Sequence, residues 1–313
     1  MPIDQKLIHQ LVNVTSKAAI ASYQYVGKKN KIAADKAAVD SMRNELNQMN
    51  IKGEIVIGEG ELDKAPMLYI GEKVGTTNGP EIDIAVDPLE GTNFVANNLP
   101  GALSVISIAE KNNLFNAPET YMEKISAKVN EKGVIDLDYT VKKNIFNLSE
   151  YLNKEPESIT ACVMDRPRHN DIINELSRIG VKIKLITDGD VMGALFVTDK
   201  KYKVDIFLGI GGGPEGVLAA AALDAYNCHF QGRFLFDTDD DKNRAKKMGI
   251  KDLTKKYELN EIIRGDSIFC ATGITSGDLV SGIKIENKKF VSETLITHKS
   301  SGIKKIIKNI DNR

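Results

Sequence analysis

The chain of 313 residues lacks the features that mark several common protein classes. Its three cysteines, Cys162, Cys228 and Cys270, form no CxxC pair and lie in apolar runs, so we expect buried, reduced thiols and no disulfide framework. The longest apolar run, residues 217–223, is far shorter than the roughly 20 residues that a membrane span requires. Glycine and proline together make up about 11% of the chain, too little for a low-complexity sequence.

The chain also lacks an excess of charge of either sign. Its 42 lysines and arginines face 43 aspartates and glutamates, a net charge of −1, which gives no reason to expect nucleic acid or an anionic membrane as a partner. With 42% hydrophobic and 27% charged residues, the composition is that of a globular chain. Asp4, Lys6 and His9 interrupt the apolar positions of the first segment, so we expect no signal peptide. These features predict a soluble, cytoplasmic protein.

The spacing of apolar residues changes along the chain in a way that indicates an α/β protein. Helical spacing dominates the first fifty residues, and alternating strands follow, most clearly at residues 81–87. Residues 111–149 are polar and mixed, as expected for an edge region followed by a helix. From about residue 158 a β-α-β-α rhythm begins. The change of pattern at residues 153–158 predicts one domain over residues 1–157 and a second over residues 158–313 that ends in return strands.

Polar residues, most of them charged, repeatedly follow the predicted strands, often beside glycine. These residues are Glu59, Asp87, Glu90, Arg166, Arg168, Asp188, Asp190 and Glu215. In open α/β sheets, ligands bind beyond the carboxyl ends of the strands. Five such strand ends in one chain favour a shared site over independent polar loops.

The segment 87–92, Asp-Pro-Leu-Glu-Gly-Thr, carries the sharpest of these signals. Its proline is expected to end the strand, and Glu90 can then return to the side of Asp87. Asp35, on the apolar stripe of the second predicted helix, and Glu59 supply two further carboxylates. Two carboxylates about 4 Å apart repel by roughly 4 kcal/mol at an effective dielectric near 20. A cluster of four therefore indicates a site for hard divalent cations, and the alternative is a strand end with a capped turn.

Two later segments have chemistry suited to phosphate. Arg166-Pro167-Arg168 presents two planar guanidinium groups that match a phosphate, although a basic turn before a helix is the alternative interpretation. The next residue, His169, is expected to pack or cap the turn. The glycine-rich segment 209–213 is not followed by Lys-Ser/Thr, which excludes a P-loop, and Glu215 makes a dinucleotide loop a poor fit. The alternative there is a tight turn in which Glu215 complements a helix N-terminus.

These motifs resemble the metal-binding motif of the lithium-sensitive sugar and inositol phosphatase superfamily and, more specifically, the class II fructose-1,6-bisphosphatase family. The similarity extends from about residue 18 to residue 303, with the motifs in family order. The motifs that carry it include Ile55-Val-Ile-Gly-Glu-Gly-Glu61, Ala65-Pro-Met-Leu-Tyr-Ile-Gly-Glu-Lys-Val-Gly75, Asp83-Ile-Ala-Val-Asp-Pro88, Tyr121-Met-Glu-Lys124, Arg166-Pro-Arg-His169, Asp188-Gly-Asp190 and Pro214-Glu-Gly-Val217.

The resemblance implies a two-domain sugar-phosphatase fold with alternating helix and sheet layers, the first domain metal-binding and the second substrate-binding. It implies hydrolysis of the 1-phosphate of fructose 1,6-bisphosphate in gluconeogenesis, with Mn²⁺ or Mg²⁺ as cofactor. Metal ligands on this basis are Asp35, Glu59, Asp87, Glu90 and Glu215. Catalytic residues are Thr92, which orients the attacking water, Lys31, near the reacting phosphate, and Glu59. Substrate contacts are Glu90, Gly91, Thr92, Tyr121, Arg166, Pro167, Arg168, Asp188, Gly189, Asp190 and Gly212.

The resemblance leaves some alternatives open. A related phosphatase acting on sedoheptulose bisphosphate or an inositol phosphate has the same motifs. A catalytically silent sensor of sugar phosphates or metals could retain the fold, although the intact set around Asp87, Glu90 and Thr92 argues against it. A homo-oligomer is expected from the family alone.

Overall fold

The computed structural model describes residues 3–60 and 67–312. The chain forms two compact units: Met1–Asn116 together with Ile263–Arg313, and Ala117–Ile262. In chain order the helices are α1 Leu7–Tyr23, α2 Lys31–Leu46, α3 Thr92–Asn97, α4 Val141–Leu152, α5 Asn170–Ile179, α6 Asp190–Leu195, α7 Gly213–Asp224, α8 Asp239–Lys247 and α9 Leu259–Ile262. The strands are β1 Lys52–Ile57, β2 Lys73–Val74, β3 Glu81–Glu90, β4 Leu103–Glu110, β5 Tyr121–Ala127, β6 Thr160–Met164, β7 Lys182–Ile186, β8 Ile206–Gly212, β9 His229–Leu235, β10 Lys256–Glu258, β11 Ser267–Gly273, β12 Lys284–Glu286, β13 Lys289–His298 and β14 Ile303–Asn312.

The first unit contains a mixed sheet with the order β12-β13-β11-β4-β3-β1-β2, in which β14 pairs with β13. The strands β1 and β3 are parallel, and β3, β4, β11 and β13 follow one another antiparallel. Buried hydroxyls join α1 to this sheet, since Thr15 and Thr272 are hydrogen-bonded at 2.7 Å. On α2, the side chains of Ala38, Met42 and Leu46 are fully buried, so the predicted apolar stripe is confirmed.

The second unit is a sheet covered by helices on both faces. Its order is β10-β9-β5-β8-β6-β7, with β6 parallel to β7 and β8, and β5 antiparallel to β8 and β9. Alternate residues such as Ile125 and Val163 face α4 and α5. On the opposite face, a Cβ on Gly193 of α6 would lie 2.9 Å from the ring of Phe207, and one on Gly216 of α7 would lie 2.5 Å from Met122 Sδ. The predicted α/β class is confirmed.

The structure draws the boundary between the two units elsewhere than at residues 157 and 158. The first unit ends at Asn116, and the chain returns to it at Ile263. Backbone pairing is the reason: β11 pairs along its whole length with β4, whereas β5 pairs with β8 and β9. The return strands therefore complete the first unit rather than the second.

Two smaller expectations have clear outcomes. All three cysteines are buried and form no disulfide, as predicted. Residues 111–149 are not a simple edge region, because β5 lies between β8 and β9 in the middle of the second sheet. The expected helix does follow, with Thr140 Oγ1 accepting a hydrogen bond from Lys143 N at 3.1 Å as the cap of α4. In the part of the chain that the structure describes, no helix is long and apolar enough to cross a membrane.

Candidate active site

In the first unit, a β-bulge brings two carboxylates onto one face of β3. Asp87 pairs with Val105 and Glu90 pairs with Leu103, so an advance of three residues along β3 matches an advance of two residues along β4. Val105 and Leu103 share a face of β4, and their partners must therefore share a face of β3. Pro88 does not end the strand as predicted, because it lies in the irregular part, where it pairs with no residue of β4. The result is the convergence that the sequence predicts for these two acids.

The bulge leads directly into the turn that presents Thr92. Gly91 has φ of +84°, a left-handed conformation that glycine adopts without strain. A Cβ there would also lie 2.8 Å from the ring of Phe94. Thr92 is the first residue of α3 and is half-buried. The backbone thus turns sharply between Glu90 and Thr92.

One backbone and one side-chain hydrogen bond of Lys29 tie the segment before α2 to α3. Lys29 N donates to Ala96 O at 3.0 Å, and Lys29 Nζ donates to Asn97 Oδ1 at 2.7 Å. Lys31 begins α2 two residues later and is exposed, while Asp35, one turn further on, is half-buried. Burial raises the pKa of the Asp35 carboxyl above its usual value. A nearby cation would stabilise the charged form of this carboxylate.

Glu59 follows the strand that runs beside β3. The last pair between the parallel strands β1 and β3 joins Ile57 to Ala85. Two residues beyond this pair, the two segments reach Glu59 and Asp87. The Glu59 backbone N–H donates to Leu68 O at 2.9 Å, which holds this segment in place. Glu59 therefore leaves the sheet at the level of Asp87.

The predicted metal ligands remain a prediction. Within residues 3–60 and 67–312, no three Asp, Glu, His or Cys side chains form a ready group for a metal ion. Residues 61–66, which include Glu61, Ala65 and Pro66 of the family motifs, lie outside the described residues. The donor set does fit a hard divalent cation, because Asp35, Glu59, Asp87 and Glu90 offer only carboxylate oxygens.

In the second unit, a buried lysine joins two predicted site residues. Lys124 of β5 is 1% exposed, its ammonium pairs with the carboxylate of Asp190, and it donates to Gly212 O at 2.7 Å. A Cβ on Gly211 would lie 1.8 Å from Asp190 Oδ2, and one on Gly212 would lie 1.8 Å from Glu215 Oε2. A side chain on either glycine would therefore displace one of these carboxylates. The site prediction missed Lys124; the signal was a lysine between the apolar Met122 and Ile125.

The carboxylates around this lysine are electrostatically linked. Burial raises the pKa of Glu215, the ammonium of Lys124 opposes that rise, and the neighbouring Asp190 and Asp188 add to it. Asp190 Oδ1 is buried, and no described group of the protein bonds to it. A buried acceptor of this kind suits a ligand hydroxyl or a cation.

The segment before α6 holds Asp188 and Gly189. Gly189 has φ of +81°, and its N–H donates to Asp188 Oδ1 at 3.1 Å. Asp188 is half-buried after β7, and Asp190 begins the helix. The two acids are thus held on either side of one left-handed glycine.

The arginine turn follows β6. Arg168 Nε donates to Ile210 O at 2.8 Å, and its guanidinium lies 4.9 Å from the ring centroid of Tyr121. Arg166 Nη1 donates to Asp165 O at 3.4 Å, and Pro167 opens the 3₁₀ turn Pro167–His169. Tyr121 is 45% exposed, and Arg168 is exposed beside it. This pair presents a cation and an aromatic ring to solvent.

One family model matches almost the whole chain. It describes bacterial fructose-1,6-bisphosphatases encoded by glpX, and the match covers residues 5–311. Every predicted site residue falls within that range.

Curated relatives agree with this match. A protein of Synechococcus sp. (strain JA-3-3Ab), named D-fructose 1,6-bisphosphatase class 2/sedoheptulose 1,7-bisphosphatase, is 41% identical over 96% of this chain and 93% of its own length. A protein of the same name from Thermosynechococcus vestitus is 43% identical over 88% of this chain and 87% of its own. Among solved structures, the extragenic suppressor protein SuhB of Bartonella henselae aligns with 66% of this chain and 77% of its own at 11% identity and a TM-score of 0.38.

Proposed function

The chain belongs to the family of bacterial fructose-1,6-bisphosphatases encoded by glpX, and from this we propose that it hydrolyses the 1-phosphate of fructose 1,6-bisphosphate. The products are fructose 6-phosphate and inorganic phosphate, and the reaction serves gluconeogenesis. The observation that carries the proposal is the match over residues 5–311, which includes both groups of site residues.

The proposed reaction depends on a divalent cation, Mn²⁺ or Mg²⁺. Its ligands are proposed to be Asp35, Glu59, Asp87 and Glu90, with Glu215 as a further ligand. When bound, such a cation neutralises phosphate oxygens and lowers the pKa of water. The shared face of Asp87 and Glu90 and the raised pKa of the half-buried Asp35 support this assignment.

The remaining proposed roles belong to the protein's own groups at the reacting phosphate. The Thr92 hydroxyl, half-buried at the end of the bulge, accepts a hydrogen bond from the attacking water and orients it. The Lys31 ammonium is an exposed cation that attracts the phosphate. The backbone of Glu59 leaves the sheet at the level of Asp87, which supports a role for Glu59 at the cation, and Gly91, with its positive φ, lets the backbone approach the ligand closely.

The sugar and its second phosphate are proposed to contact the second unit. Asp188 and Asp190 accept hydrogen bonds from sugar hydroxyls, for which the open acceptor Asp190 Oδ1 is suited. Gly189 and Gly212 allow close approach of the backbone. Arg166 and Arg168, held by the turn at Pro167, bind the second phosphate through their planar guanidinium groups, with Tyr121 beside them.

A phosphate-release assay tests the proposal directly. The purified chain, supplied with Mn²⁺, is given fructose 1,6-bisphosphate, fructose 1-phosphate and an inositol monophosphate at equal concentrations. We expect the bisphosphate to give the highest kcat/KM. Binding of the bisphosphate without any turnover would instead identify a sensor, and preference for the inositol phosphate would overturn the substrate assignment.

Sedoheptulose 1,7-bisphosphate is a second candidate substrate, because the relatives carry that activity in their names. It shares the two terminal phosphates and differs by one carbon. Similar kcat/KM values for the two bisphosphates would show that the protein uses both substrates, and a much lower value for sedoheptulose 1,7-bisphosphate would show that it uses one. A cytoplasmic location and a homo-oligomer are also proposed, and light scattering of the purified protein tests the second.

A further inference from the structure

Strands β6 and β8 begin as parallel neighbours and separate before they end. Their pairing is limited to Ala161 with Ile206 and Cys162 with Phe207. On its other edge β8 stays paired with β5 as far as Gly212. Beyond Phe207, the edge of β8 that faced β6 therefore needs other partners, since buried backbone groups are almost always hydrogen-bonded.

Two consecutive side chains of the arginine turn supply these partners at one residue. Ile210 N donates to His169 Nε2 at 2.7 Å, and Ile210 O accepts from Arg168 Nε at 2.8 Å. The side chain of His169 is completely buried. The turn Pro167–His169 thus holds β8 at the point where the strand β6 has left it.

The hydrogen bond from Ile210 requires a specific form of His169. An imidazole nitrogen that accepts a hydrogen bond carries no proton, so Nε2 is bare and the ring is neutral with its proton on Nδ1. Burial and the charge of Arg168 lower the pKa of His169, while the charge of Asp190 opposes this. The balance favours the neutral ring.

The same geometry determines where the Arg168 guanidinium lies. Its Nε donates a hydrogen bond to Ile210 O, and the guanidinium group lies next to the ring of Tyr121. The two Nη groups form no hydrogen bond with the described part of the protein. They are the groups that can bind a phosphate in bidentate fashion.

We propose that His169 is a positioning residue: its neutral imidazole fixes the turn against β8, so that Arg168 is presented for the substrate phosphate that does not react. The proposal rests on the proposed function, in which Arg168 binds that phosphate. It assigns His169 a role in substrate affinity and none in the chemical step. A histidine that only fills space would not need its Nε2 as an acceptor.

Two variants separate these roles. His169→Gln retains an acceptor oxygen near the position of Nε2, whereas His169→Met retains volume and removes the acceptor. We expect His169→Met to raise the KM for fructose 1,6-bisphosphate about tenfold with kcat nearly unchanged, because one hydrogen bond to a buried group is lost. His169→Gln should stay within about threefold of the wild type. Equal KM values for both variants and the wild type would overturn the proposal.

A substrate without the second phosphate provides the internal control. The KM for fructose 1-phosphate should be the same in His169→Met and in the wild type, since Arg168 has nothing to bind. A tenfold rise with both substrates would show a general structural defect and would also overturn the proposal.

The pH dependence gives a further test. As the pH falls through the lowered pKa of His169, the ring gains a proton at Nε2, loses the bond from Ile210 and faces the cation of Arg168. The KM of the wild type should then rise more steeply than that of His169→Gln. Ionisation of the substrate affects both proteins equally and therefore cancels in the ratio of their KM values at each pH. Parallel pH profiles would contradict the role of Nε2.

The tautomer can be observed without any turnover. In ¹⁵N-histidine-labelled full-length protein, the His169 signals are assigned by their loss in His169→Gln from a set of four histidines. At pH 7.5 we expect a bare Nε2 and a protonated Nδ1. A protonated Nε2 would overturn the proposal even if the enzyme hydrolyses fructose 1,6-bisphosphate. Absence of that hydrolysis, with the tautomer as expected, would instead refute the proposed function.

Discussion

Removal of the buried ammonium of Lys124 should destabilise the second unit strongly. Lys124→Met keeps the length of the side chain but leaves Asp190, which is 6% exposed, without its cation. Removing one partner of a buried ion pair costs about 3–5 kcal/mol. The carbonyl of Gly212 also loses its donor at 2.7 Å, which adds about 1 kcal/mol. We expect a loss of about 4–6 kcal/mol in the free energy of unfolding.

Denaturation by urea, followed by circular dichroism, measures this loss, and a matched lysine controls for it. Lys128 lies just after the same strand and is exposed, and within the described residues its only hydrogen bond is the one to Thr198 O at 2.9 Å. Lys128→Met should cost no more than about 1 kcal/mol. Similar losses for the two variants would refute the claim that burial of Lys124 matters.

A double-mutant cycle tests whether the loss acts through Asp190. Asp190→Asn removes the buried charge that Lys124 compensates, so the double variant should be more stable than the sum of the single effects predicts. We expect a coupling energy of about 1–3 kcal/mol, as found for residues in contact. Additive effects would show that Lys124 supports the fold by packing alone, and the account of this cluster would then be wrong.

Three further results are expected of the purified enzyme. Thr92→Ala should lower kcat by on the order of 10²–10³-fold with little change in KM, and Thr92→Ser should retain much of the rate, as stopped-time phosphate assays can show. Arg168→Ala should raise the KM for fructose 1,6-bisphosphate much more than it lowers kcat, because a phosphate that is bound equally in the ground and transition states contributes uniform binding. A large loss of kcat with an unchanged KM would instead place Arg168 at the reacting phosphate. Mn²⁺ at 100 times its Kd should stabilise the wild type by about 2.7 kcal/mol in thermal unfolding, and Glu59→Gln should reduce that shift.

The polar ends of the strands could be predicted because they depend on local sequence. Asp87 and Glu90 were expected on one side, and the register confirms it. The bulge itself was not predicted, since whether Pro88 ends the strand depends on how β4 pairs opposite it. The sequence close to Pro88 contains no information about that partner.

The parts that sequence reasoning missed depend on contacts between distant residues. Glu123 and Lys124 made β5 look like an exposed edge, because the acid that compensates the lysine, Asp190, is 66 positions away. The unit boundary was misplaced for the same reason: β11 could be assigned to the first sheet only from its pairing with β4. The burial of a polar residue inside a strand is recognised only when the sheet is known. The same holds for the sheet to which a late strand of the chain belongs.

Cation-dependent hydrolysis of the 1-phosphate alone can be followed in a ³¹P NMR time course. Fructose 1,6-bisphosphate is incubated with the purified protein and Mn²⁺, and a parallel sample contains excess EDTA. We expect loss of the 1-phosphate signal, accumulation of fructose 6-phosphate with equimolar inorganic phosphate, and no change in the chelated sample. Accumulation of fructose 1-phosphate, or the same rate of hydrolysis in EDTA, would contradict this expectation.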